Sequence, residues 1–139
     1  MREIELNRRM IQAFPELRER YDAETTWNGG EDTGSHVIYG DVFNPALHAY
    51  LKCGNFHASR KYFDFAESLL ETKDDYAEEV AIITILESVY FDEYHDDDIV
   101  PLLGSKSQAI WNEFIKAYGP RGRNAENDED CAQRESEQC

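Results

Sequence analysis

Apolar residues recur along this chain at helical spacing for most of its length. Ile4, Ile11 and Phe14 share one face of a charged opening stretch, with Met10 close by. Pro15 follows, and Glu16 suits the positive end of a helix restarted there. Residues 2 to 22 therefore read as one helix kinked or restarted at Pro15. Asn28-Gly29-Gly30 and Gly34-Ser35 are turn formers, so residues 23 to 36 read as a loop. His36-Val37-Ile38-Tyr39-Gly40 is β-branched and aromatic and predicts a short extended segment near 36–40, too brief to imply a sheet.

Asn44-Pro45 has the form of a helix start, with Asn44 as N-cap and Pro45 first in the helix. That helix runs to Lys52 and stops at Gly54-Asn55. Residues 56 to 72 carry Phe56, Phe63, Ala66, Leu69 and Leu70 at helical spacing, with Tyr62 and Phe65 widening the stripe. Asp74 or Asp75 can cap the next element, Tyr76 to Phe91, whose apolar residues occupy more than one face. Such a helix is expected to be central and buried. An acidic joint, Asp92 to Asp98, leads to a short turn around Pro101, and Ser105 is placed to cap a last helix.

The pattern predicts an all-α domain over residues 1–118, with helix hairpins stacked as a small solenoid-like arrangement or bundle. Helices 56–72 and 75–91 form one hairpin, and 95–118 a rough second one. Beyond Gly119 the chain offers almost nothing to bury, so 119–139 reads as a disordered acidic tail.

Composition adds a strong bias to this outline. The chain has 139 residues, 41% of them hydrophobic, which is enough for a core without a metal or disulfide. It carries 29 acidic against 14 basic residues, a formal −15. That charge repels phosphate backbones and anionic membranes, and it attracts a basic protein. No apolar run approaches a membrane span or the core of a signal peptide. Cys53, Cys131 and Cys139 make no disulfide framework, and with the charged start they point to the cytoplasm.

Catalytic and cofactor motifs are not recognisable, and no cofactor or metal is expected. Asp92-Glu93-Tyr94-His95-Asp96-Asp97-Asp98 is rich in oxygen donors but lacks the glycine and the alternation of a calcium loop. It reads as a helix joint or a partner-facing acidic patch. His48 and His57 lie on different predicted helices, without metal-ligand spacing. Cys53 near His57 lacks an orienting third group and reads as a small buried apolar residue, while Cys131 and Cys139 read as free thiols. The aromatics Trp27, Tyr39 and Phe43 either fold back over the helices or join acids in a contact surface.

Phe14-Pro15-Glu16-Leu17, followed by Tyr39-Gly40-Asp41-Val42-Phe43-Asn44-Pro45, resembles a family of small, acidic, functionally uncharacterised bacterial domains over roughly residues 2–118. The resemblance implies an α-helical fold and carries no catalytic residues. In charge and size the chain also looks like immunity proteins of contact-dependent or polymorphic toxin systems. The expectation is a non-catalytic acidic domain that binds a basic protein, such as a toxin that it neutralises. A helical adaptor and a metal-dependent protein are the alternatives. The expected partner-binding residues are Trp27, Glu31, Asp32, Asp92, Glu93, Asp96, Asp97 and Asp98. Trp27 would be an apolar anchor and the acids would face Lys or Arg.

Overall fold

The structure, a computed structural model, describes residues 1–122. Within them the chain forms seven helices and no strand. Helix α1 spans Glu3–Ala13 and stops at Phe14, whose ring is buried. A 3₁₀ turn, Pro15–Leu17, restarts the chain into α2, Arg18–Trp27. The expected break at Pro15 is there. The helix after it runs five residues further than expected, and the loop shrinks to 28–34.

Helix α3 is continuous over 35–52, which corrects two expectations. Residues 36–40 are helical, not extended, because Ile38, Tyr39 and Phe43 fall on one helical face and bury there completely. That burial outweighs the strand preference of the local residue types. Nor does a helix begin at Asn44: its backbone is helical and its side chain caps nothing. The residues before it, Tyr39–Phe43, form a π-helical stretch in which Asn44 N–H reaches back five residues to Tyr39 O. Pro45 lacks an N–H and crowds the carbonyl four residues back. The widened turn just upstream is where a helix can absorb that defect.

Gly54, in the left-handed region at φ 78°, reverses the chain. Asn55 then caps α4, Phe56–Glu71, by accepting from Ala58 N at 3.1 Å. Asp74 caps α5 in the same way, accepting from Ala77 N at 2.9 Å. Helix α5 covers 75–90 and holds a second π-helical stretch, Val80–Leu86, where Glu87 N–H donates to Ile82 O. The short α6, Asp96–Ile99, runs into a 3₁₀ turn, and α7 is Ser105–Tyr118.

Helices α3, α4 and α5 run up, down and up, and the two π-helical stretches pack on each other. Hydrogen bonds fix α3 and α5 as parallel neighbours. Tyr76 hydroxyl accepts from Ser35 N at 3.0 Å at one end. Asn44 Nδ2 donates to Thr84 O at 2.8 Å in the middle. His48 lies against Ser88 and Asp92 at the other end. Helix α7 packs on α4 as well as α5, so 95–118 is not a separate hairpin.

The core is aromatic. Phe14 stacks on Tyr62 at 4.2 Å, and Phe43 lies 5.0 Å from Tyr62. A second group, Tyr90, Trp111 and Phe114, seats α7. Tyr39 and Phe43 thus belong to the interior rather than to a lid or contact surface. Glu67 on α4 caps α7: its Oε1 accepts from Ser107 N at 2.8 Å and its Oε2 from Lys106 N at 3.0 Å. The N-cap position is Gly104, not Ser105, and a Cβ there would lie 2.7 Å from Glu67 Oε1, so the glycine leaves room for that carboxylate.

Candidate acidic interface on α5 and its flanking loops

The acids expected to face a partner occupy two separate regions. Trp27, Glu31 and Asp32 sit by the N-terminal ends of α3 and α5, since Asn7 on α1 holds the 28–34 loop there. Asn7 Nδ2 donates to Glu31 O at 2.9 Å and Thr33 O at 2.8 Å, and its Oδ1 accepts from Ser35 Oγ at 2.8 Å. Asp92, Glu93, Asp96, Asp97 and Asp98 sit past the C-terminal end of α5. The α3–α5 pair between them is roughly 25 Å long.

Several of these acids are committed inside the fold. Glu31 pairs with Arg8 at 2.9 Å and accepts from Tyr21 hydroxyl at 2.9 Å. Arg8 first, then Tyr21, holds its carboxyl below the usual range. Asp96 accepts from Trp111 Nε1 at 2.8 Å and from Arg121 N at 2.7 Å. Asp92 faces His48 Nδ1 at 3.3 Å. Asp32, Glu93 and Asp97 are exposed, Asp98 is half-buried, and Trp27 is 86% exposed.

Gly119 and Arg121, counted with the tail on sequence grounds, are held to the domain. Tyr90 hydroxyl donates to Gly119 O, and the Arg121 guanidinium lies 5.0 Å from the Tyr90 ring. The rest of the expected tail, 123–139, lies outside the described residues, as do Cys131 and Cys139. Cys53 is half-buried rather than fully buried as expected, with its Sγ 3.4 Å from Tyr50 O.

The sequence reading missed the outer face of α5. Glu79, Ile83, Glu87 and Phe91 recur every four residues as an alternating acid and apolar stripe. Ile83 and Phe91 are each 50% exposed, so the helix is not buried all round. Val37 of α3 is exposed close by, where His36 Nδ1 meets Thr84 Oγ1. At the far end Phe91 packs edge-on against Tyr118, 61% exposed, at 5.0 Å. Beyond Phe91 the chain carries the exposed acids Glu93 and Asp97. The signal was present in the chain: no Lys or Arg occurs between Lys73 and Lys106, a segment with ten acidic residues.

Two other places look chemical. A cavity of about 230 Å³ is lined by Arg8, Ile11, Gln12, Arg18 and Glu31. Its charges are already neutralised, Arg8 by Glu31 and Arg18 by Asp22. Ser88, His48 and Asp92 fall in the order of a nucleophilic triad, with His48 Nε2 at 3.2 Å from Ser88 Oγ. Ser88 Oγ, however, also lies 2.7 Å from Ile85 O, and a carbonyl can only accept. The single hydroxyl proton goes there, so Ser88 accepts from His48 and is not activated by it.

Among the described residues, no group of three His, Cys, Asp or Glu is placed to hold a metal ion, and no helix is long and apolar enough to cross a membrane. No curated protein and no solved structure matches the chain. A family model, described as Domain of unknown function (DUF7674), matches residues 7–119, nearly all of the helical body whose core and α5 face are set out above. The chain belongs to that family.

Proposed function

We propose that this is a non-catalytic, acidic protein-binding domain that masks a basic partner, in the manner of an immunity protein facing a cationic toxin. The observation that carries the reading is the α5 face: exposed Ile83 and Phe91, backed by Tyr118, alternate with Glu79 and Glu87 in a segment without a cation. Apolar anchors interleaved with acids are what a complementary interface uses, and the Arg121 guanidinium, 5.8 Å from the Phe91 ring, bounds the face at its C-terminal edge. The rim acids set association rate and salt dependence, while the anchors set dissociation. Glu93 and Asp97 extend the rim. Trp27 with Asp32 offers a second, smaller contact at the other end of the domain.

The test is affinity capture from native lysate of the source cell with the wild-type chain and with Glu79→Lys/Glu87→Lys. The reading expects a basic protein, released by salt and lost with the double variant, at an unchanged melting temperature. Capture of an acidic or neutral chain that resists salt would overturn it.

A further inference from the structure

His48 sits on α3 with both ring nitrogens facing α5 and the joint after it. Nε2 lies 3.2 Å from Ser88 Oγ. Nδ1 lies 2.9 Å from Tyr94 hydroxyl and 3.3 Å from Asp92 Oδ2. Counting protons decides how these contacts are used. The Ser88 proton is on Ile85 O at 2.7 Å, so Nε2 is the donor to Ser88 Oγ. A neutral ring with its proton on Nε2 has a lone pair on Nδ1. Tyr94 hydroxyl can donate to that lone pair, and the Asp92 carboxylate, which only accepts, cannot.

A charged ring reverses the preference. Nδ1 then carries a proton, and Asp92 is the stronger acceptor for it. Tyr94 hydroxyl can then turn toward His48 O, at 3.5 Å. We propose that protonation of His48 exchanges its Nδ1 partner from Tyr94 to Asp92, making the joint between α5 and α6 a proton-driven two-position latch. Burial opposes the charged state, Asp92 favours it, and Lys52 one turn along α3 opposes it; burial prevails and holds His48 below the ordinary histidine range. The latch thus stays in the Tyr94 position at neutral pH and moves when the surroundings turn acidic. It acts on the segment that carries Glu93 but stands whether or not that segment binds a partner.

The experiment is a long-range ¹H–¹⁵N correlation titration of the histidine rings in the full chain, between about pH 4.5 and 8. At the basic end the His48 ring is expected as the Nε2–H tautomer, with its midpoint below that of a free histidine. Asp92→Asn removes the acceptor for the charged ring and should lower the midpoint further. Tyr94→Phe removes the donor to the neutral ring and should raise it. Backbone amides of residues 92–95 should follow the same midpoint. An Nδ1–H tautomer at neutral pH would overturn the proposal. So would a midpoint unmoved by both substitutions.

Discussion

Asp96 Oδ1 accepts the indole N–H of Trp111 at 2.8 Å, and Trp111 is completely buried. This acid therefore closes the core of the C-terminal helix instead of waiting for a partner. Its other oxygen holds Arg121 N at 2.7 Å, which pins the chain leaving α7. Replacing Asp96 with Ala leaves a buried donor unpaired. The expected loss is about 1–3 kcal/mol, or roughly 4 °C or more in melting temperature. Asp97→Ala, at an exposed position, should change stability by less than about 0.5 kcal/mol. Urea unfolding of the two variants measures the contrast.

Asn7 is the second internal tie. It is fully buried and satisfies Glu31 O, Thr33 O and Ser35 Oγ together. Asn7→Ala strips three partners at once and should destabilise the domain by about 2 kcal/mol or more. Because Glu31 is held through the same loop, the Arg8–Glu31 pair should loosen too. Amide exchange of residues 30–35 should accelerate in the variant while that of α4 changes less.

The Glu67 cap on α7 makes a pH prediction. Burial pushes the Glu67 carboxyl up, but the Lys106 and Ser107 donors outweigh it and leave the carboxyl below its ordinary value. A depressed carboxylate contributes stability above its unfolded value, about 4.3, and loses it as pH falls through the folded one. Glu67→Gln should thus lower the melting temperature at pH 7, with the gap to wild type closing below about pH 4. Taking that difference removes the easing of self-repulsion that acid brings to a chain of charge −15. Gly104→Ala should destabilise by about 1 kcal/mol, since its Cβ would displace the Glu67 carboxylate from the N–H groups it caps.

Much of this architecture was legible. Helices 56–71 and 75–90 could be read because their apolar residues repeat at helical spacing and Asp74 was among the expected caps of the second, while Asn55, expected only to end the preceding helix, also caps the first. Residues 35–43 could not, because Val37, Ile38 and Tyr39 favour strands locally and only the tertiary core makes them helical. Asn44-Pro45 misled because the residue types that open a helix also follow a π-helical stretch. The π-helical part of α5 spreads apolar residues around the helix, which hid the outward position of Ile83. Among the acids, nothing in the chain separates Asp96, bound to Trp111, from Asp97 one residue on. That distinction arises only when α7 folds back.

The central claim is that the α5 face recruits a positively charged protein. Stopped-flow association of the captured partner with the full chain, followed from about 0.01 M to about 0.5 M salt, tests it most directly. The rate should fall by about tenfold or more over that range, and Glu79→Lys/Glu87→Lys should lower it at low salt with melting unchanged. Ile83→Asp should leave the salt slope in place and speed dissociation. An association rate indifferent to salt, and to both glutamate substitutions, would contradict the account.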